Sequence, residues 1–179
     1  MAAFIDLAKS FDLTALGQLP PETQPSGFPP SEIVMASGRP VLVIPYAGAF
    51  DGIGRRALIA WDGTREAVRA VHGALPLLDR AEAVMLVYVG VQQGDVEQYR
   101  PSIERISGHL QRHGVAVKPE ETMGGDLSVS EVLLSRAADF AADPIVSGAY
   151  HHSQLREALL GGVTRELLEH MTVPTLLSQ

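Results

Sequence analysis

From Arg56 onward, short apolar runs alternate with longer stretches of helical periodicity, with almost no spare chain between them. That alternation constrains the fold more than any other feature. ALIAW (57–61) is a buried-strand pattern ended by the turn-forming pair Asp62-Gly63. TREAVRAVHGALPLLDRA (64–81) follows, with apolar residues at 68, 71, 75 and 78 and Thr64 as its expected N-cap. AVMLVYVG (83–90) is a second buried strand. VEQYRPSIERISGHLQRHG (96–114) is helical, with Pro101 expected to start or kink it and Gly114 to stop it. VAVKPEETM (115–123) is a more polar strand, and Pro119 assigns it to a sheet edge. SVSEVLLSRAADFAA (128–142) is a third helix and PIVSGAY (144–150) a third buried strand. SQLREALLGGVTRELLEHM (153–171) is a fourth helix, and VPTLLSQ (173–179) the closing strand.

Five such strands separated by helices require parallel crossovers. The expected fold is therefore α/β: a doubly wound, open, parallel five-stranded sheet with helices on both faces, Rossmann-like in plan. Ligands of such sheets sit outside the carboxyl ends of the strands, where the strand order reverses. Asp62, the segment Tyr88–Gly90 and the segment Gly148–Ser153 all fall there. The last begins GAYHHSQLREALLGG (148–162), whose glycines suggest a backbone loop open to an anion.

The first 55 residues differ, being rich in proline and glycine around QLPPETQPSGFPP (18–30). They echo the end of the chain. FDLTALG (11–17) resembles ADPIVSG (142–148), and RPVLV (39–43) resembles VPTLL (173–177), at offsets of 131 and 134 residues; SEIVMASG (31–38) reads as a short helix between them. The expected division is a strand–helix–strand remnant of a first repeat with its linker (1–55), joined through GAFDGIG (48–54) to a complete domain (56–179). RPVLVIPY (39–46) is then expected to lie against VPTLLSQ.

Composition narrows the partners. Fourteen Lys and Arg against 21 Asp and Glu give a net charge of −7, which disfavours nucleic acid and anionic membrane surfaces. The absence of cysteine excludes disulfides, thiolate nucleophiles and zinc sites built on sulfur, and fits a reducing compartment. The opening MAAFIDLAKSFDL lacks the pattern of a secretory signal, and no apolar run approaches a membrane span, so the cytoplasm is the expected location.

IAWDGTREAVRAVHGALPLL, LVYVG and GAYHHSQLREALLGGVTRELLEHMTVPTLL resemble the universal stress protein family across essentially all of 56–179. The resemblance implies a stress-response role, a five-stranded parallel sheet, homodimer pairing through the last strand and, in some members, bound ATP. Nucleotide-binding members carry glycine, two residues, glycine, nine residues, glycine, then serine or threonine. On this chain those positions are Gly148, His151, Gly161 and Gly162, so the second glycine and the hydroxyl residue are replaced. By the same resemblance Asp62 meets the ribose and Val89 the adenine. His152 and Ser153 continue the loop, Val163 and Thr164 contact phosphate, and magnesium is expected only in the company of ATP. Trp61 is bulkier than the residue often found beside that aspartate.

Bland alternatives stand beside each of these. Asp62 also suits a turn or a helix cap, and Ser153 an N-cap. If position 151 needs a left-handed backbone, histidine costs about 1 kcal/mol, and its Cβ crowds the space of a phosphate that its imidazolium would attract. Gly161-Gly162 reads either as a helix break or as a second helix start with Thr164 facing an anion. Arg156 and Arg165 suit phosphate contacts or a solvated helix face. His109 and His113 in HLQRH sit one helical turn apart, a spacing metals use, with no third ligand evident; His72 and His170 have no visible partner. No Gly-x-Ser-x-Gly elbow, Walker lysine or spaced carboxylate pair is present, so no catalytic residue is assigned and ATP hydrolysis would be incidental. The alternatives are a non-nucleotide interaction module dimerising through the last-strand or remnant-strand edge and, more distantly, an α/β nucleotide-dependent enzyme.

Overall fold

The computed structural model describes residues 1–20, 30–149 and 162–179. The candidate residues His151, His152, Ser153 and Gly161, with Arg156, lie outside the described residues.

The front of the chain forms α1 (Ala2–Ala8), β1 (Thr14–Gly17), α2 (Pro30–Ser37) and β2 (Val41–Ile44). The alternating region continues with β3 (Arg56–Ala60), α3 (Arg65–Leu78), β4 (Ala83–Gly90), α4 (Asp95–Arg112), β5 (Val117–Met123), α5 (Val129–Phe140), β6 (Ile145–Gly148), α6 (Gly162–His170) and β7 (Thr175–Ser178). Local chemistry explains the boundaries. Thr64 caps α3 by accepting from the Ala67 amide at 3.2 Å. Ser128 and Glu131 form a reciprocal capping box on α5. Gly114, at φ +81°, closes α4, where its own amide reaches the Gln111 carbonyl and that of Val115 the Leu110 carbonyl.

One expectation needs correction. Pro101 does not start α4: the helix begins at Asp95, where the Asp95 carboxylate accepts the Val91 and Gln92 amides, and Pro101 sits inside it. The helix forgoes one backbone bond there because Ile103, Ile106 and Leu110 bury its inner face. The helix α1 has no counterpart in the sequence reading, which had only excluded a signal there.

Among the described residues the sheet has seven strands, in the order β1-β2-β7-β6-β3-β4-β5. Its β7-β6-β3-β4-β5 portion is parallel throughout, as expected, with β5 at the edge where Pro119 placed it. The sheet is nonetheless mixed and larger than five strands, because β2 runs antiparallel to β7 and carries β1 with it. Alternate side chains of β4 show the two layers. Val84, Leu86 and Tyr88 pack with α3 and α4, whereas Met85, Val87 and Val89 pack with residues of α5 and α6. Each fully buried aliphatic side chain contributes roughly 1.5–3 kcal/mol.

The junction of the front has internal symmetry. Val41 pairs with Leu177, Leu42 with Leu176 and Val43 with Thr175, so the Leu42–Leu176 pair sits on an approximate two-fold axis. About it, the parallel pair β1–β2 mirrors the parallel pair β6–β7, and Gly17 and Gly148 end matching strands. Gln18 ties this front to α6 by donating to the Leu168 carbonyl at 2.7 Å while accepting from the Tyr46 amide.

At the opposite end from the strand carboxyl termini, Asp143 accepts the amides of Gly54, Arg55 and Arg56 at 2.9–3.1 Å. That carboxylate holds the entry of β3 beside the entry of β6. Arg56 completes the joint, donating to the Phe140 carbonyl at 2.7 Å with its guanidinium 4.3 Å from the Phe140 ring centre.

Candidate functional site

A cleft of 470 Å³ opens at the carboxyl ends of β3, β4 and β6, where the strand order reverses. Asp62, Val89, Gly148, Gly162, Val163 and Thr164 all line it. The described candidate residues therefore converge on one place, although they come from four separate segments of chain.

Asp62 follows β3 and is exposed. Its Oδ1 accepts both the Thr64 amide at 2.9 Å and the Thr64 hydroxyl at 2.6 Å, so the turn-forming reading holds. Among the described residues the turn engages Oδ1 alone. Thr64 in turn caps α3, and one short loop thereby fixes both the carboxylate and the helix that follows.

Gly148 ends β6 for a reason the loop pattern does not express. A Cβ there would come within 2.5 Å of the Ala67 amide nitrogen and 2.7 Å of the Glu66 carbonyl carbon. The glycine lets β6 approach the first turn of α3. Gly162 is the opposite case: it is helical, and a Cβ would meet nothing within 4 Å. With Val163 and the buried Thr164 it lines the cleft from α6; the helix-break and helix-start readings turn on Gly161, outside the described residues. Arg165 in the same turn pairs with Glu169 at 3.3 Å on the solvated face.

Several lining residues were missed. Tyr88 is 5% exposed and stacks on Tyr99 with ring centres 4.8 Å apart. Burial, then the charges of Asp95, Tyr99 and Asp62, push its phenol up to about 12, so it stays neutral. Tyr88 lies in the strand-end segment the sequence singled out, but its partner Tyr99 arrives only through the packing of α4. Glu66, 2% exposed, lines the cleft and pairs with Arg65 at 2.8 Å. With Asp62 and Asp95 it makes the described lining acidic, and no Lys or Arg stands among the described lining residues. Trp61, whose bulk the sequence had marked, also lines the cleft, held by a 3.2 Å bond from its indole nitrogen to the Ser102 hydroxyl.

The α5–α6 side is fixed by a carboxylate bond: the Ser130 hydroxyl donates to Glu166 of α6. That bond, and a further one from Ser128, hold the Glu166 carboxyl below its ordinary range. Away from the cleft, His72 finds a partner the sequence could not name. Its ring centre lies 4.9 Å from that of His109, which lies 4.7 Å from that of His113.

Residues 54–179 match the model of the Universal stress protein family. No curated protein sequence matches the chain. Among solved structures, a universal stress protein from Archaeoglobus fulgidus superposes with a TM-score of 0.77 at 16% identity, over 99% of this chain and 66% of that one. The present chain thus spans about two thirds of that longer protein. A universal stress protein family member from Burkholderia pseudomallei gives 0.57 at 25% identity, over 69% of this chain and 95% of its own. A family protein from Arabidopsis thaliana, solved with AMP bound, gives 0.51 at 15% identity, over 69% and 90%.

Proposed function

The chain belongs to the universal stress protein family, and from that premise we propose that it is a stress-response protein binding an adenine nucleotide in the cleft at the strand ends. The observation carrying this reading is the convergence of Asp62, Val89, Gly148 and the first turn of α6 on one cavity. Its 470 Å³ falls within the range of about 300–1,000 Å³ usual for small-molecule sites. The bound AMP of the Arabidopsis relative supports the same ligand class.

In this reading Asp62 orients the ribose through its unengaged oxygen, and Val89 meets the adenine. The amino end of α6, with Thr164, receives the phosphates, since backbone amides of a first helical turn favour anions. Asp62, Glu66 and Asp95 repel phosphate from the remainder of the cleft, so ATP enters with magnesium and AMP is the less costly ligand. The test is calorimetric titration of AMP and of magnesium-ATP into the wild-type protein and into Asp62→Ala. Saturable binding weakened about tenfold or more by the substitution supports the reading. No heat at millimolar nucleotide ends it.

A second reading concerns the front. We infer that residues 1–55 repeat the β6–α6–β7 portion of a universal stress domain; the two-fold relation of β1–β2 to β6–β7 about the Leu42–Leu176 pair supports this. The β7 edge is then covered within the chain by β2, and the outer edge of β1, which like β5 ends the sheet, is offered to a second copy. Sedimentation of wild type against a variant with proline at Ala15 tests that edge; a monomer in both would exclude it.

A further inference from the structure

The two edges of the sheet differ in chemistry. β5 carries Lys118, Pro119, Glu120 and Glu121, the charges and proline that keep an edge strand from pairing. β1 reads Thr-Ala-Leu-Gly, with neither. The amides of Thr14 and Gln18 bond inward, to the Pro40 and Ile44 carbonyls. By the alternation of a strand, the backbone groups of Leu13, Ala15 and Gly17 then face outward. Among the described residues no strand takes them.

The two-fold relation about the Leu42–Leu176 pair shows what such a strand otherwise packs against. Beyond β6, the counterpart of β1, the sheet continues to β3 and β4, and α5 packs on both as well as on α6. Gly148, the counterpart of Gly17, is closed in by Glu66 and Ala67. α1 packs on α2 in the same way, but the sheet stops at β1, and a Cβ on Gly17 would meet nothing within 4 Å. Leu7, Phe11 and Leu13, on the approach from α1 into β1, are 58%, 55% and 40% exposed. Apolar side chains gathered in this way mark a contact surface.

We propose that this surface docks a second copy of the chain, with the two β1 strands antiparallel about a two-fold axis at Ala15 and Leu13 of each copy set over Gly17 of the other. The proposal rests on the repeat reading of residues 1–55 and adds to it a register and an apolar seal. In that register the outward groups of Ala15 bond those of Ala15 in the second copy, and the outward groups of Leu13 bond those of Gly17. The fit is self-complementary, as an isologous contact requires: the bulky Leu13 and the open Gly17 stand two residues to either side of Ala15. Leu7 and Phe11 close over the joined strands. Each chain carries a net charge of −7, which opposes association elsewhere on the surface, whereas residues 13–17 carry no charge.

The chain has no cysteine, so a single one reports the contact. Hydrogen-bonded residues of an antiparallel pair have Cα atoms about 5.5 Å apart, within disulfide reach. Mild oxidation is expected to link Ala15→Cys into a covalent dimer and to leave Thr122→Cys, on β5, unlinked. Sedimentation equilibrium of wild type, Leu7→Asp, Phe11→Asp and Met123→Asp, with thermal unfolding alongside, forms the second arm. Wild type and Met123→Asp should be dimeric. Leu7→Asp and Phe11→Asp should each weaken the dimer by about tenfold or more, since like charges then meet across the axis. If Ala15→Pro separates the copies while Ala15→Cys stays unlinked and Leu7→Asp stays dimeric, the register and the seal are overturned and the edge reading stands. A monomeric wild type overturns both together. Should an aspartate unfold α1, the Ala15→Cys link decides alone, and its absence overturns the proposal.

Discussion

Gly148 and Ala67 approach so closely that a Cβ on the glycine would stand 2.5 Å from the Ala67 amide nitrogen. A strand end and a helix start are thereby locked together on one wall of the cleft. In a glycine-patterned loop the natural reading of such a glycine is room for phosphate. Here backbone packing demands it first.

Gly148→Ala should therefore destabilise the protein by about 3 kcal/mol, because backbone atoms rather than a flexible side chain must give way. Chemical denaturation measures this. A loss below 1 kcal/mol would mean that β6 and α3 separate easily, and that the glycine serves the loop instead.

Gly162 should behave in the opposite manner. It stands in open space with helical backbone, so Gly162→Ser restores the hydroxyl of nucleotide-binding relatives without strain. Stability should hold or rise by up to about 1 kcal/mol. Nucleotide affinity should rise about two- to tenfold, the worth of one new hydrogen bond. Unchanged affinity would place the phosphates away from the first turn of α6.

Asp143 closes the far end of the sheet by accepting three successive amides. Asp143→Ala should cost about 2–3 kcal/mol with little change in nucleotide affinity, since the joint lies at the opposite ends of the strands. Parallel measurement of unfolding and ligand binding separates the two effects. A large affinity loss at intact stability would contradict this assignment.

Stability should fall on both sides of neutrality, for different reasons. Burial and the neighbouring His113, His72 and Arg112 lower the His109 pKa. The unfolded chain therefore takes up that proton more readily than the folded one, and stability is lost as pH falls through about 6.5 and below. Tyr88 is raised from 10.0 to about 12, so the unfolded phenol ionises first and stability is lost as pH rises from about 10. Thermal midpoints across pH, with His109→Gln and Tyr88→Phe as controls, should show each variant flattening its own limb. A variant with the wild-type slope would remove that residue from the account.

Where local chemistry decides, the sequence was readable. The Thr64 cap, the Gly114 stop, the edge strand marked by Pro119 and the strand AVMLVYVG were all legible because each depends on residues close in the chain. Even the contact between 39–46 and the last strand followed from a repeated pattern. What escaped was set by distant partners or by burial overriding a local rule. Pro101 is tolerated because the inner face of α4 is buried; α1 is seven residues long with no side-chain cap to announce it. The Tyr88–Tyr99 stack and the His72–His109 contact each join residues on different elements, so no spacing could reveal them. The crevice at the ends of β3, β4 and β6 lies where strand-end geometry expects one, and the α6 residues named from the family resemblance line it too, whereas the reason for Gly148 needed the position of α3.

The most direct measurement is a backbone amide NMR titration of the isotopically labelled protein with AMP. The account predicts saturable shifts concentrated at Asp62–Thr64, Val89–Gly90, Gly148 and Gly162–Thr164, with the amides around Asp143 undisturbed. No shifts at millimolar AMP, or shifts that cluster away from the strand carboxyl ends, would contradict it.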